Sequence, residues 1–176
     1  MVVESIKVWT DGSFNRSIPD LCRGGYLVLV NDSVIMAVGH VTSHKPEYAS
    51  RWNVGGEVIA AGIGLSVAEA VRAVLVKQFG EDDVTREITL YHDYEGLNNW
   101  VRPNPKTGKR WKANNSVSRE YVKLVADVES HNIVLKFKWV KGHSGDKYNE
   151  LVDQLAKGNW PAEIDYTKCQ RKEIDI

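Results

Sequence analysis

The sequence predicts an α/β domain: a mixed five-stranded sheet, three antiparallel strands and then parallel ones, with helices on both faces. Three observations predict it. Short stretches alternate apolar and polar residues, the period of a half-buried strand. Longer stretches repeat apolar residues at helical spacing. Their order is β-β-β-α-β-α-α-β-α, a meander followed by βα alternation, which sets helices over a sheet with parallel members.

The first strand alternates Ile6, Val8 and Thr10 against Lys7 and Trp9, and is expected to end at Asp11, just before Gly12 and Ser13. "GGYLVLV" (24–30) and "SVIMAVGHV" (33–41) are β-branched runs split by Asn31-Asp32, a hairpin signal. Residues 43–53 are polar and irregular. From about Gly56 to Gln78, Val58, Ala61, Leu65, Ala68, Val71 and Leu75 share one helical stripe, and the alanines suit close packing on a sheet. "EITLYHD" (87–93) is a strand, "YEGLNNWV" (94–101) a short helix, and "RPNPKTGKRWKANN" (102–115) a loop. Residues 116–131 form a helix capped by Ser116 or Ser118, with Val122, Val125 and Val128 inward. "NIVLKFKWV" (132–140) is the fifth strand, "KGHSGDK" a loop, and "YNELVDQLAKG" a last helix. One domain is expected over residues 1–160, followed by a tail over 161–176 with mixed charge and little periodicity.

The 176 residues suffice for a sizeable core. Hydrophobic residues make up 43% and charged residues 26%, within the globular range. Twenty-three basic and 23 acidic residues cancel, so no whole-molecule field advertises nucleic-acid binding and such a role needs a local patch. Cys22 and Cys169 lack metal-ligand spacing and read as free thiols in a reducing compartment. The N-terminus has no signal-peptide pattern and no segment reads as long enough to span a bilayer. A cytoplasmic protein without membrane contact is expected, with no obligate protein partner, as a monomer.

Two aspartates, Asp11 and Asp93, each close an apolar strand. If those strands are parallel neighbours, both carboxylates emerge at one sheet edge, where open α/β sheets bind ligands. Glu57 starts the long helix, and Asp153 lies on the last helix beside Asn149, away from the Leu151/Leu155 stripe. Each has a plain alternative. Asp-Gly is a turn signal, Glu57 suits a helix's first turn, and Asp153 suits an exposed helix face. As a cluster they repel one another unless a cation intervenes, and oxygen ligands without Cys or His favour Mg²⁺ or Mn²⁺ over zinc.

"TDGS", "NVGGEVIAAGIGL", "LYHDYEGLNNW" and "KWVKGHSGDKYNELVDQLAK" follow in this order, from roughly Ile6 to Lys157. Together they resemble type 1 ribonuclease H. The wording is most similar to bacterial members that often carry an N-terminal hybrid-binding module, for which this sequence shows no counterpart. The resemblance implies a ribonuclease H-like fold and a metal-dependent hydrolase, an endonuclease cutting the RNA strand of an RNA–DNA hybrid. It further implies two Mg²⁺ ions (Mn²⁺ as substitute) on Asp11, Glu57, Asp93 and Asp153, and products with 5′-phosphate and 3′-hydroxyl ends. His143, otherwise an ordinary solvated loop residue, matches the family's mobile histidine, which implies proton transfer or help with product release. His92 is expected to point away from the site.

For substrate, the resemblance implies that Gly12 and Ser13 make backbone contacts to the RNA ribose and that Asn53 reaches the minor groove. Trp100 matches the aromatic that packs on DNA sugars, although a helix-core role suits it equally. The acid-free loop carrying Lys109, Arg110 and Lys112 matches the family's basic protrusion. It reads otherwise as a solvated charge run, with Trp111 either stacking or anchoring the loop. Two positions depart from the family. Val54 replaces a second amide, and Trp52 stands where a threonine of the DNA-phosphate pocket is expected, leaving Arg51 to supply the charge. Another nuclease or strand transferase on the same architecture, or a hybrid binder without catalysis, are the competing readings. The "KGHSGD…NELVD" ending argues against the first, and the complete carboxylate set against the second.

Overall fold

The computed structural model describes residues 1–176. Strands β1 (Ile6–Phe14), β2 (Cys22–Val30) and β3 (Val34–Ser43) form the antiparallel meander, and Asn31 and Asp32 turn the hairpin with φ of 51° and 59°. A single turn, α1 (Pro46–Ala49), leads into the 28-residue α2 (Trp52–Phe79). Then follow β4 (Glu87–His92), α3 (Gly96–Asn99), α4 (Ser116–Ser130), β5 (Val134–Trp139), α5 (Lys147–Ala156) and β6 (Gln170–Asp175). The sheet runs β5-β4-β1-β2-β3-β6, with β1, β4 and β5 mutually parallel.

The mixed sheet is as expected, with one more strand. The expected tail over 161–176 contains β6, which pairs parallel to β3 from Ala37↔Gln170 to Thr42↔Asp175. Ser43 donates to the carbonyl of Ile176 at 3.1 Å, and Ile174 and Ile176 pack against the core. Lys172 and Glu173 hide the strand from a hydropathy reading, since edge strands carry charge on both faces.

Helices α2 and α4 cover one face, packing Leu65 and Val125 into one core with Val8, Tyr26 and Val28 of the sheet. Helix α5 covers the other, over Trp9, Leu27, Leu29 and Val38. Contrary to the expectation that no segment is long enough, α2 matches a bilayer span in length and composition. Here half of its apolar stretch is buried against the sheet. It also begins at Trp52, four residues before the expected start. The Gly55-Gly56 pair reads as helix-breaking, yet a side chain on Gly56 would lie 2.3 Å from the Arg23 carbonyl oxygen. Close approach of helix to strand requires glycine there.

Helix α4 is capped by Asn115, not by Ser116 or Ser118. Asn115 accepts from the Ser118 amide at 2.9 Å, and Ser118 accepts from the Asn115 amide at 3.4 Å, a reciprocal capping box. Its buried stripe adds Val117 and Tyr121 to Val125 and Val128, while Val122 is half-buried.

Candidate active site

Strand β1 does not end at Asp11. It continues to Phe14 because β2 pairs it as far as Cys22. Its parallel pairing with β4, however, stops at Trp9↔Tyr91. The strands separate there, and Asp11 and Asp93 face each other across the opening. Glu57 arrives from above on α2. Gly12 admits it, because a side chain at that position would lie 2.4 Å from the Glu57 amide nitrogen. Oxygens of Asp11, Glu57 and Asp93 all fall within 4.8 Å of one another.

Three carboxylates this close are electrostatically costly. Asp11 and Glu57 are buried, and Asp93 is half-buried. Burial first, then the charge of Asp93, pushes Asp11 up to about 7, although the Gly12 amide donates to its Oδ1 at 2.9 Å. Burial also holds Glu57 well above the usual carboxylate range, reinforced by Asp93 and Asp11. Glu57 Oε2 is buried with no hydrogen-bond partner. An orphaned acceptor within an all-oxygen donor set fits a hard divalent cation, which would neutralise the cluster and satisfy that atom.

Asp153 lies beside this triad, not within it. It comes from the opposite face, where α5 approaches β2 so closely that a side chain on Gly25 would lie 2.8 Å from the Val152 carbonyl oxygen. Its charge raises the Asp11 pKa, yet its Oδ2 is engaged by Lys157 Nζ at 2.9 Å. The loop between β5 and α5 passes next to Asp93: a side chain on Gly142 would lie 3.3 Å from Asp93 Oδ2. His143 is exposed on that loop with φ 55°. His92 points away from the triad, as alternation requires. It is buried, donates from Nδ1 to the Tyr94 carbonyl at 2.9 Å, and desolvation pushes its pKa down to about 4.

The family model for RNase H matches residues 3–160. The chain belongs to the ribonuclease H family. The ribonuclease H of Lachnoclostridium phytofermentans is 28% identical over 151 residues, covering 86% of this chain and 89% of that protein. The ribonuclease H of Mannheimia succiniciproducens is 40% identical over 78 residues, 40% of this chain and 47% of that one. The RNase H1 structure from Halobacterium salinarum superposes with a TM-score of 0.57 at 18% identity, covering 87% of this chain and 95% of its own. An RNase H domain from Mycobacterium tuberculosis gives 0.53 at 18% identity over 88% and 99%. These two structures share the fold, an RNase H-like mixed sheet with helices. The protein is a ribonuclease H-family hydrolase.

The remaining expected substrate residues fall into four groups. Gly12 and Ser13 flank the triad, and Ser13 Oγ accepts from Arg23 Nη2 at 3.0 Å. Arg23 also donates to the Lys157 carbonyl at 3.2 Å, tying β2 to the end of α5. Arg51 and Asn53 are exposed around the start of α2. Trp100 is placed in the core at 7% exposure, edge-on to Tyr94, Trp111 and Tyr121. Its edge alone reaches a cavity of about 240 Å³ shared with Ser50, Arg51 and Asn115. In the basic loop, Lys109 and Lys112 are exposed without ion pairs, Arg110 donates to the Trp100 carbonyl at 3.1 Å, and Trp111 is 39% exposed. Trp111 thus anchors the loop with one edge and shows the other to solvent.

Sequence reasoning missed Arg23 and Trp139. The Trp139 indole donates to the Asp93 carbonyl at 3.0 Å and fixes the backbone of that carboxylate. An apolar alternation gives no signal for such a bond. Arg23 shows none either, since its partners are 10 and 134 residues away.

Proposed function

We propose that the protein cleaves the RNA strand of RNA–DNA hybrids at the Asp11–Glu57–Asp93 opening, by a two-metal-ion mechanism leaving 5′-phosphate and 3′-hydroxyl ends. The observation that carries this reading is the convergence of three carboxylates around an unpartnered Glu57 oxygen. Asp11, Glu57 and Asp93 are the residues that hold Mg²⁺, with Asp153 completing the set once it lets go of Lys157. Divalent ions held there supply charge neutralisation at the scissile phosphate and a more acidic attacking water. Mn²⁺ has the same oxygen-ligand chemistry and serves as substitute.

The chain's own residues do the rest. Gly12 lets α2 carry Glu57 close to Asp11, and Gly12 and Ser13, the latter held by Arg23, offer their backbone to the ribose. His143 sits on an exposed loop against Asp93, suited to carry a proton to or from the reacting phosphate. Asn53 reads the minor groove. Lys109, Arg110 and Lys112 attract the phosphate backbone, which a neutral protein must do with a local patch.

A labelled hybrid, an RNA duplex and single-stranded DNA, incubated side by side with Mg²⁺, test the reading. Only the RNA strand of the hybrid is expected to be cut, EDTA is expected to stop the reaction, and the fragments are expected to prime a polymerase through their 3′-hydroxyls. Cutting of single-stranded DNA, or cyclic phosphate ends, would overturn it.

A further inference from the structure

Trp52 is the most exposed tryptophan of the chain, at 64%. Its φ of 52° is a left-handed conformation that a bulky residue adopts only where its surroundings impose it. The imposition is local: α1 ends at Ala49, α2 begins at Trp52, and the turn between them swings the indole outward. The Phe14 ring lies 6.2 Å from it, tilted by 37°. The two rings, with Arg16, Pro19 and Asn53, line an open groove of about 420 Å³ that carries one cation and no acid.

This groove adjoins the strand and the helix that carry Asp11 and Glu57. Phe14 follows Asp11, Gly12 and Ser13 on β1, and the Asn53 carbonyl packs directly against Gly12. Its chemistry differs from that of a phosphate pocket, which is built from small hydroxyl and amide donors. An outward indole offers a flat π-face to another flat ring. Inside a duplex each base face is covered by its neighbours, whereas an unpaired base is free to turn a face onto the indole. Arg16 supplies the counter-charge for the phosphate attached to such a base.

We propose that Trp52, Phe14 and Arg16 form a stacking platform for an unpaired nucleobase of the substrate, in a single-stranded flank next to the hybrid segment being cut. The proposal rests on the nucleic-acid reading above and adds a subsite to it: hybrids that continue into single strand bind better than blunt ones.

Fluorescence anisotropy in EDTA tests it with four labelled probes. They are a blunt hybrid, the same hybrid with a single-stranded DNA flank, one with an RNA flank, and one whose DNA flank is abasic. The wild-type protein is expected to bind at least one base-bearing flank at least about fivefold more tightly than the blunt and abasic probes. The two flanked probes distinguish which strand supplies the base. Trp52→Thr is expected to bind base-bearing and abasic flanks alike, and Trp52→Phe to keep part of the preference. Equal binding of base-bearing and abasic flanks by the wild type, or a preference retained in Trp52→Thr, overturns the platform. If Trp52→Thr melts early, the wild-type comparison of base-bearing and abasic flanks decides alone. Parallel cleavage in Mg²⁺ judges the hydrolase reading separately, since a protein that cuts no hybrid can still show or lack the flank preference.

Discussion

At Asp11 a single carboxylate carries both the cost and the use of the site. Its charge is buried beside Asp93 and Glu57, and its pKa of about 7 reports that cost. Asn has the same shape and keeps an oxygen for the Gly12 amide, but removes the charge. Asp11→Asn is therefore expected to lower Mg²⁺-dependent hybrid cleavage by at least about a thousandfold. Without metal it is expected to raise Tm, by about 2–4 °C for each kcal/mol of repulsion relieved in a chain of this length. Hybrid cleavage at the wild-type rate would remove Asp11 from the metal site, and an unchanged metal-free Tm would remove the repulsion. The glycines beside it act through space alone. Gly12 and Gly56 let α2 approach the aspartate's strand from one face, and Gly25 lets α5 approach the neighbouring β2 from the other.

Among the elements, the loop over 102–115 separates charge that binds from charge that holds. Arg102 pairs with Glu129, whereas Lys109 and Lys112 make no ion pair and Arg110 spends only its Nε, on the Trp100 carbonyl. Replacing Lys109, Arg110 and Lys112 together by alanine is expected to raise KM for hybrid. It is also expected to flatten the salt dependence of binding by up to about 0.9 logarithmic units for each phosphate no longer neutralised. An unchanged slope in a salt titration would return the loop to a solvated surface. Elements with one dominant period were legible in the sequence: β1 to β5, α4 and α5 stood where periodicity placed them, within a few residues. What escaped was set by contacts distant in the chain. β6 exists because β3 offers an edge, α2 starts early because glycines dock on β2, and Asn115 caps α4 with Ser118's help. The site was legible as residue types, Asp11, Glu57 and Asp93 above all. The pairing of Asp153 with Lys157, the burial of Trp100 and the anchoring of Asp93 by Trp139 depend on packing that no local pattern encodes.

For the whole molecule, protons and divalent ions compete for the same carboxylates, so stability should depend on pH and metal together. Asp11 and Glu57 have folded pKa values above their unfolded ones. Each therefore favours folding while protonated, and that contribution is lost as pH rises from the unfolded value near 4 through about 7 for Asp11, and likewise through the raised value of Glu57. His92 acts in the opposite direction. Its folded pKa of about 4 contributes stability above the unfolded value near 6.5, lost as pH falls toward 4. At about pH 8 His92 is neutral in both states and does not oppose the trend that the carboxylates set. A bound divalent ion reverses the carboxylate penalty, and it binds best when those protons have left. Mg²⁺ at about a hundred times its dissociation constant adds about 2.7 kcal/mol, or roughly 5–10 °C in a chain of this length. That gain is expected at about pH 8 and should shrink markedly at about pH 5.5, where Asp11 holds its proton. Thermal melts with Mg²⁺ or EDTA at the two pH values measure it directly. An equal Mg²⁺ shift at both would mean that the ion binds elsewhere than at the buried carboxylates.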